Sequence, residues 1–384
     1  MTKMKKIGIL TFHRACNYGA VLQCYALNKT LEQLGGSPTT IDYFPSYFRT
    51  RYYPTLEPFS IWHIKSWLRH KKIVELKETR NRKFEQFSEK ELNLHPGTAH
   101  NLQELQEIIQ NSGIRTWICG SDQVWNNTCA NFDQAFFLYM DLPSGSEKYS
   151  YAASFALKEL PQDLSAEYRK RLENFKKISV REQSGIDIIR KLQLGEAYEH
   201  CDPTLLLTAS DWNKIASKVQ DDSYILIYHV KKADLLLKKA TELKKKTGLK
   251  IVYLSSNYYS YSTIYGKQFR KYRYTPVMES SPQDFISLFA NAKYVITNSF
   301  HGTVFSILFH KNFWSQLHLT DGKVNERVKN LLDKVSITNR WIVDESTPLQ
   351  ENAIDWESVD RRVDSMRTQA KSYLSDIIQE TLNN

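Results

Sequence analysis

Short apolar runs alternate with amphipathic stretches along most of this chain. Ile7–Phe12 reads as a buried strand. Ala20–Leu34 reads as a helix, with Val21, Leu22, Tyr25, Leu27, Leu31 and Leu34 toward a core and Gly35-Gly36 as its stop. Thr40–Tyr43, Thr116–Cys119, Lys148–Ala152 and Ile178–Val180 are further strands, and Ser184–Leu192 is a helix. The pattern then restarts. Tyr224–Val230 and Lys250–Leu254 are strands, separated by the lysine-rich helix Ala233–Thr247. Ser281–Ala290 is a helix opening with Ser-Pro. Tyr294–Thr297 is a strand, Asn298–Gly302 a polar turn and Thr303–Phe309 a helix. Asp355–Leu382 is a final amphipathic helix.

Two successive βαβ series predict an α/β protein with two Rossmann-like domains. The expected boundary lies near Cys201-Asp202-Pro203, giving domains over 1–200 and 201–384. Residues 44–87 break the alternation as an insert dense in aromatics (Phe44, Tyr47, Phe48, Tyr52, Tyr53, Phe59, Trp62, Trp67) and in lysine and arginine. That mixture suits a lipid interface, with rings at headgroup depth and cations on anionic lipid. It equally suits a helical insertion that packs its aromatics on the first domain.

Charge changes the picture modestly. The 384 residues carry a net +10, which suits an anionic partner. No zinc-finger spacing, aromatic RNA-binding motif or arginine-rich tail accompanies it, so no nucleic-acid partner is expected. Five cysteines without a C-x-x-C pair suit a reduced, cytoplasmic protein without structural zinc. The basic N-terminus followed by Ile7–Phe12 is too short and too interrupted for a signal peptide.

The candidate chemistry sits at strand ends. His301 lies at a strand–turn–helix junction, where unpaired N–H groups and the helix dipole favour anions. Asn298, Ser299 and Gly302 share that turn. Asn17 and Gly19 occupy the entrance to the first helix, where glycine permits close backbone approach. Gly120, Ser121, Asp122 and Gln123 follow another strand and could read sugar hydroxyls. Asn17, Ser121 and Asp122 are also ordinary helix-capping types, and the sequence does not separate the two roles. Arg181 follows the strand Ile178–Val180 and could clamp phosphate or carboxylate; pairing with Glu182 is the alternative. No metal-ligand spacing appears, and no Ser-His-Asp order.

Five blocks carry a family resemblance in the family's order: Gly8–Leu27, Trp117–Asn126, Ser179–Gly185, Asp202–Leu207 and the T-N-S-F-H-G-T-V-F-S segment from Thr297. Together the chain resembles the polysaccharide pyruvyl transferases. The resemblance implies a GT-B-like arrangement, with a cleft between the domains and a C-terminal helix crossing back. It implies phosphoenolpyruvate as donor substrate, no cofactor, and a sugar acceptor that gains a pyruvate ketal during capsule or exopolysaccharide assembly. His301 would be the principal acid/base, Arg181 the anion clamp and Asp122 a partner base. Asn17, Gly19, Gly120, Ser121, Gln123, Asn298, Ser299 and Gly302 would bind substrate. Some family members carry Arg-Leu-His where this chain has Ser299-Phe300-His301. The missing charge would then come from Arg327 or Lys323. The basic insert favours a lipid-linked oligosaccharide and a peripheral contact with the inner face of the membrane. The alternatives are a GT-B-like glycosyltransferase using a nucleotide sugar and a non-catalytic glycan-binding relative.

Overall fold

The computed structural model describes residues 6–53, 64–218, 223–230, 232–256, 266–317, 319–320, 323–324 and 326–383. Two six-stranded sheets organise the chain. The first contains β1 (Lys6–Leu10), β2 (Ser37–Thr40), β3 (Thr116–Cys119), β4 (Glu147–Ser150), β5 (Phe175–Val180) and β6 (Ala197–Glu199), in the order β2-β1-β3-β4-β5-β6. The second contains β7 (Ile225–His229), β8 (Ile251–Ser255), β9 (Thr275–Val277), β10 (Tyr294–Thr297), β11 (Asn312–Gln316) and a last short strand, Trp341–Ile342. From that last strand inward, its order runs through β11, β10, β7 and β8 to β9. Every pairing within both sheets is parallel. The central strands are continuous apolar runs because helices cover both faces, as parallel sheets require.

Strand order places the crevices. In each sheet the chain reverses its direction of growth, between β1 and β3 and between β7 and β10. Ligands of open α/β sheets bind beyond the carboxyl ends of strands at such switch points. Here the two switch points face each other, which is the GT-B arrangement.

The domains share apolar contacts. Helix Tyr18–Gln33 buries Tyr18, Val21, Leu22 and Tyr25 in one cluster with Trp212, Phe285 and Phe305 of the second half. Tyr18 stacks on Phe285, with centroids 4.8 Å apart, and donates to the Ser280 carbonyl at 3.1 Å. Helix Trp356–Asn383 crosses back. Val359 and Val363 pack with the second domain, while Ala370, Leu374 and Ile377 pack under the first sheet with Ile7, Ile9 and Leu31.

Two expectations need correction. The second strand lies at Ser37–Thr40, not Thr40–Tyr43. Pro38 stands within it, and is tolerated because β2 is an edge strand, where a missing N–H need not break the ladder. Thr40 and Tyr43 instead form single bridges to Leu94 and Ala99. The helix expected from Thr303 begins at Phe300, so His301 and Gly302 sit inside its first turn. The start moves because Ser299 is its N-cap, accepting from the Gly302 N–H at 3.3 Å.

The aromatic insert is partly in view. Residues 54–63, with Phe59 and Trp62, lie outside the described residues. Tyr47, Phe48, Tyr52 and Tyr53 pack on the first domain's core, Phe48 edge-on to Phe12 at 5.5 Å. Helix Ile64–Glu91 buries Val74, Phe84 and Phe87 and reaches both domains. Its buried Arg80 donates to the Cys16 carbonyl (2.9 Å) and the Ser256 carbonyl (2.8 Å). Among the described residues no helix is long and apolar enough to cross a membrane.

Candidate active site

The first helix begins at the carboxyl edge of β1, and Asn17 caps it. Its side chain accepts from the N–H of Gly19 (3.0 Å) and Ala20 (3.4 Å). Gly19 is buried against the imidazole of His301. A Cβ built there would lie 1.9 Å from His301 Nδ1, closer than any side-chain contact allows. Absence of a side chain at Gly19 thus lets the two domains meet at the histidine. Gly302 plays a local counterpart role, since a Cβ there would lie 2.3 Å from Thr297 Oγ1.

The other imidazole nitrogen, Nε2, faces Asp202 Oδ2 at 3.5 Å. Asp202 is fully buried. Its Oδ1 accepts from the Thr204 N–H (3.0 Å) and hydroxyl (2.7 Å), and its Oδ2 accepts from Arg181 Nη1 (2.9 Å). Burial alone would raise the Asp202 pKa, but His301, Arg181 and Thr204 outweigh it and hold the carboxyl well below its ordinary range. The same logic runs in reverse for Arg181. Burial opposes its charge, while Asp202, Glu182 and Asp122 more than restore it.

Arg181 lies over the Phe300 ring, 4.9 Å from its centroid. Its Nε is 3.7 Å from Glu182 Oε2, and among the described residues neither Nε nor Nη2 has a hydrogen-bond partner. Glu182 is held by Ser154 Oγ (2.7 Å) and the Ala156 N–H (3.0 Å), both donating to Oε1. Arg327 joins Arg181, Glu182, Asp202 and Phe300 around one cavity. Burial and then the neighbouring Arg181 charge lower the Arg327 pKa. Two guanidiniums lining one cavity, one of them with unsatisfied N–H groups, form an arrangement that an anion would stabilise.

The sequence-derived residues divide by position. Gly19, His301, Arg181, Arg327 and Asp122 converge on this cleft. Asp122 sits at the end of β3 with φ +77°, and its charge acts on both arginines. Other side chains are spent on internal bonds. Ser121 donates to the Ala152 carbonyl (2.8 Å), and Gln123 accepts from Asn126 (3.0 Å). Asn298 accepts from the Val230 N–H (2.9 Å) and donates to the Lys232 carbonyl (3.0 Å). Gly120 lies against Thr11, with room for no Cβ. The side chain of Lys323 lies outside the described residues. Sequence reading missed Asp202 and Phe300. Asp202-Pro203-Thr204 carries a turn signature, because the carboxylate accepts from its own backbone two residues on, and it was read as a boundary.

Two facing Rossmann-like sheets with an ionised cleft at their switch points define a GT-B-like enzyme. The chain belongs to the polysaccharide pyruvyl transferase family, whose model matches residues 17–315. It is therefore a transferase. No curated protein matches it. Solved structures share the fold. UDP-GlcNAc 2-epimerase from Neisseria meningitidis, bound to UDP-GlcNAc, has a TM-score of 0.51 at 10% identity, covering 99% of each chain. The wall teichoic acid polymerase TagF has a TM-score of 0.52 at 10% identity, covering 99% of this chain and 88% of its own. AviGT4, a glycosyltransferase involved in avilamycin A biosynthesis, has a TM-score of 0.50 at 11% identity, covering 99% and 98%.

Proposed function

We propose that the enzyme transfers the enolpyruvyl group of phosphoenolpyruvate to two hydroxyls of one sugar, forming a cyclic ketal and releasing phosphate. The carrying observation is the Arg181–Arg327 cavity beside the His301–Asp202 pair. The reaction needs cations for a phosphate and a carboxylate, and an acid/base that faces them. In this reading a proton is delivered from the His301 imidazolium to the methylene carbon, and the central carbon becomes electrophilic. A sugar hydroxyl attacks that carbon and loses its proton. The carbon–oxygen bond to phosphate breaks as a second hydroxyl attacks and is deprotonated. Asp202 keeps the imidazole oriented and balances its positive form. Asp122, beside both arginines, is the group we assign to accept a hydroxyl proton. The acceptor is a sugar of a capsular or exopolysaccharide precursor.

Titration calorimetry with phosphoenolpyruvate tests the donor. Wild type should bind it, and Arg327→Ala should bind at least tenfold more weakly, about 1.4 kcal/mol. Arg181→Ala should do the same, but it strands Asp202, so Arg327→Ala is the cleaner variant. Binding of a uridine diphosphate sugar with turnover, and none of phosphoenolpyruvate, would replace this reading by glycosyl transfer.

We also place the enzyme in the cytoplasm, peripherally at the membrane's inner face, where lipid-linked acceptors reside. Helix Ile64–Glu91 supports this, since it exposes Leu68 beside Trp67 and Lys71. Lys71→Glu with Lys72→Glu should weaken flotation with anionic vesicles severalfold. Equal flotation of the double variant and wild type would remove the membrane contact.

A further inference from the structure

A second pocket lies in the first domain, shares no lining residue with the arginine cavity and belongs to none of the groups assigned above. It lies between the short helix Ser46–Tyr52 and the loop 128–131, both following carboxyl ends of first-sheet strands. It is an open surface depression of about 460 Å³, a volume within the range of small-ligand sites, with Ser46, Thr50, Arg51, Thr128 and Asn131 all exposed. Its wall carries hydroxyls and an amide (Ser46, Thr50, Thr128, Asn131), a tyrosine ring (Tyr47) and one cation (Arg51). Among the described residues no carboxylate lines it. The nearby Asp133 is already engaged, its Oδ2 accepting from Tyr43 and Tyr47 at 2.8 Å each. Among the described residues no carboxylate pairs with Arg51, whose guanidinium rests near the Tyr52 ring, 5.7 Å from its centroid.

The loop holds an unusual shape. Ala130, Asn131 and Phe132 are consecutive non-glycine residues in the left-handed region, with φ of 51°, 52° and 51°. Each costs on the order of 1–3 kcal/mol unless the surroundings impose it. They do here. Phe132 packs on Tyr168 with centroids 4.7 Å apart, under the Arg171 guanidinium at 4.1 Å, and its carbonyl accepts from Arg171 Nη1 at 2.7 Å. The anchored side of the loop faces the core, and the strained side forms the pocket wall. Cys129 links this wall to the cleft. Burial dominates its thiol, but the charges of Asp122, Arg51 and Arg327 all act on it.

We infer that this pocket binds the acceptor as a hexosyl diphosphate, its sugar hydroxyls against Thr50, Thr128 and Asn131 and its diphosphate on Arg51. The Thr50 hydroxyl already donates to the Ser46 carbonyl (3.1 Å) and the Thr128 hydroxyl to Asn126 Oδ1 (2.8 Å), so both serve only as acceptors for sugar hydroxyls. The Asn131 amide can donate and accept, and an exposed guanidinium matches phosphate. The sugar then lies on the Asp122 side of the arginine cavity, where attack on the donor would occur. The inference rests on the proposed pyruvyl transfer for its direction, but the site can be tested by itself. Nucleoside and polyprenyl carriers present the same diphosphate, and the probes separate them.

Calorimetry would use two probes, uridine diphosphate galactose and farnesyl diphosphate galactose, with phosphoenolpyruvate titrated in parallel. Wild type should bind at least one probe, which identifies the carrier. Arg51→Ala should bind it at least tenfold more weakly. Asn131→Gly should also weaken it, since glycine keeps the left-handed turn and removes only the amide. Both variants should hold phosphoenolpyruvate within twofold of wild type, and Arg181→Ala should show the opposite pattern. No binding of either probe to wild type overturns the site, and so does wild-type probe affinity in both pocket variants. Loss of phosphoenolpyruvate binding in wild type, with Arg51-dependent probe binding intact, would sink the donor reading and leave this site standing.

Discussion

Asp202→Asn is expected to cost both catalysis and fold. Asp202 is the only carboxylate within 3.0 Å of Arg181 in the described structure, and the same oxygen, Oδ2, also faces His301 Nε2. Removing one member of a buried ion pair strands the other charge, at on the order of 3–5 kcal/mol. Denaturant unfolding should show a loss of that size. Losing the partner that orients an acid/base should lower kcat by about 10²-fold or more. Asparagine keeps the acceptor oxygen for Thr204, so the loop 201–206 has no reason to collapse. The pH profile separates the charge from the hydrogen bonds. The folded carboxyl is held below its unfolded value of about 3.9. Its stabilisation is therefore complete above that pH and drains as acid carries the protein toward the lower folded value. Wild type should lose stability steeply below about pH 4, and Asp202→Asn should lose less over the same interval. A variant as stable and as active as wild type, with the same acid limb, would show that the His301–Asp202–Arg181 chain carries no weight.

Much of the frame was legible because burial writes itself into sequence. β3 and β10 are short apolar runs at the expected positions, and the helix Tyr18–Gln33 overlaps the expected one, although it is buried on nearly all sides rather than along one face. β2 was misplaced, and only the finished sheet shows that this strand, with its Pro38, is an edge. Site residues were harder for a different reason. Asn, Ser and Asp at a helix start look alike whether they cap the helix or meet a ligand. Asn298 and Ser121 turn out to bond within their loops, and Asp122 also accepts from the Gln123 N–H at 2.8 Å, while its charge still acts on Arg181 and Arg327. Arg327 was reachable by asking which cation replaces a missing arginine, and it lines the cavity with Arg181. Asp202 was not reachable in that way. Its value comes from contacts with residues from both halves of the chain, and nothing adjacent in sequence announces them.

Gly19→Ala should be the most damaging single methyl group in the protein. Nothing about the backbone forbids alanine, because Gly19 lies in the first turn of an ordinary helix, where alanine is the better helix former. The obstacle is across the cleft. The new Cβ would lie 1.9 Å from His301 Nδ1 and 2.4 Å from both Cγ and Cε1, so the whole ring face must retreat. The imidazole has little freedom to do so. Its helix is anchored by Ser299, and Gly302 is wedged against Thr297. Either His301 leaves Asp202, or the domains separate along the Tyr18 contact with Ser280. A displacement near 1 Å of a reacting group costs about 10²-fold in rate. Overpacking a filled contact costs about 1–3 kcal/mol in stability. Turnover should therefore fall at least that far, while phosphoenolpyruvate affinity, which the proposed function assigns to Arg181 and Arg327, should change much less. A second substitution supplies the control. His301→Ala in the Gly19→Ala background removes the clash, so the double variant should regain the stability lost by the single one without regaining activity. If Gly19→Ala alone melts with wild type and turns over normally, the close packing of His301 on the first helix is not part of the working enzyme.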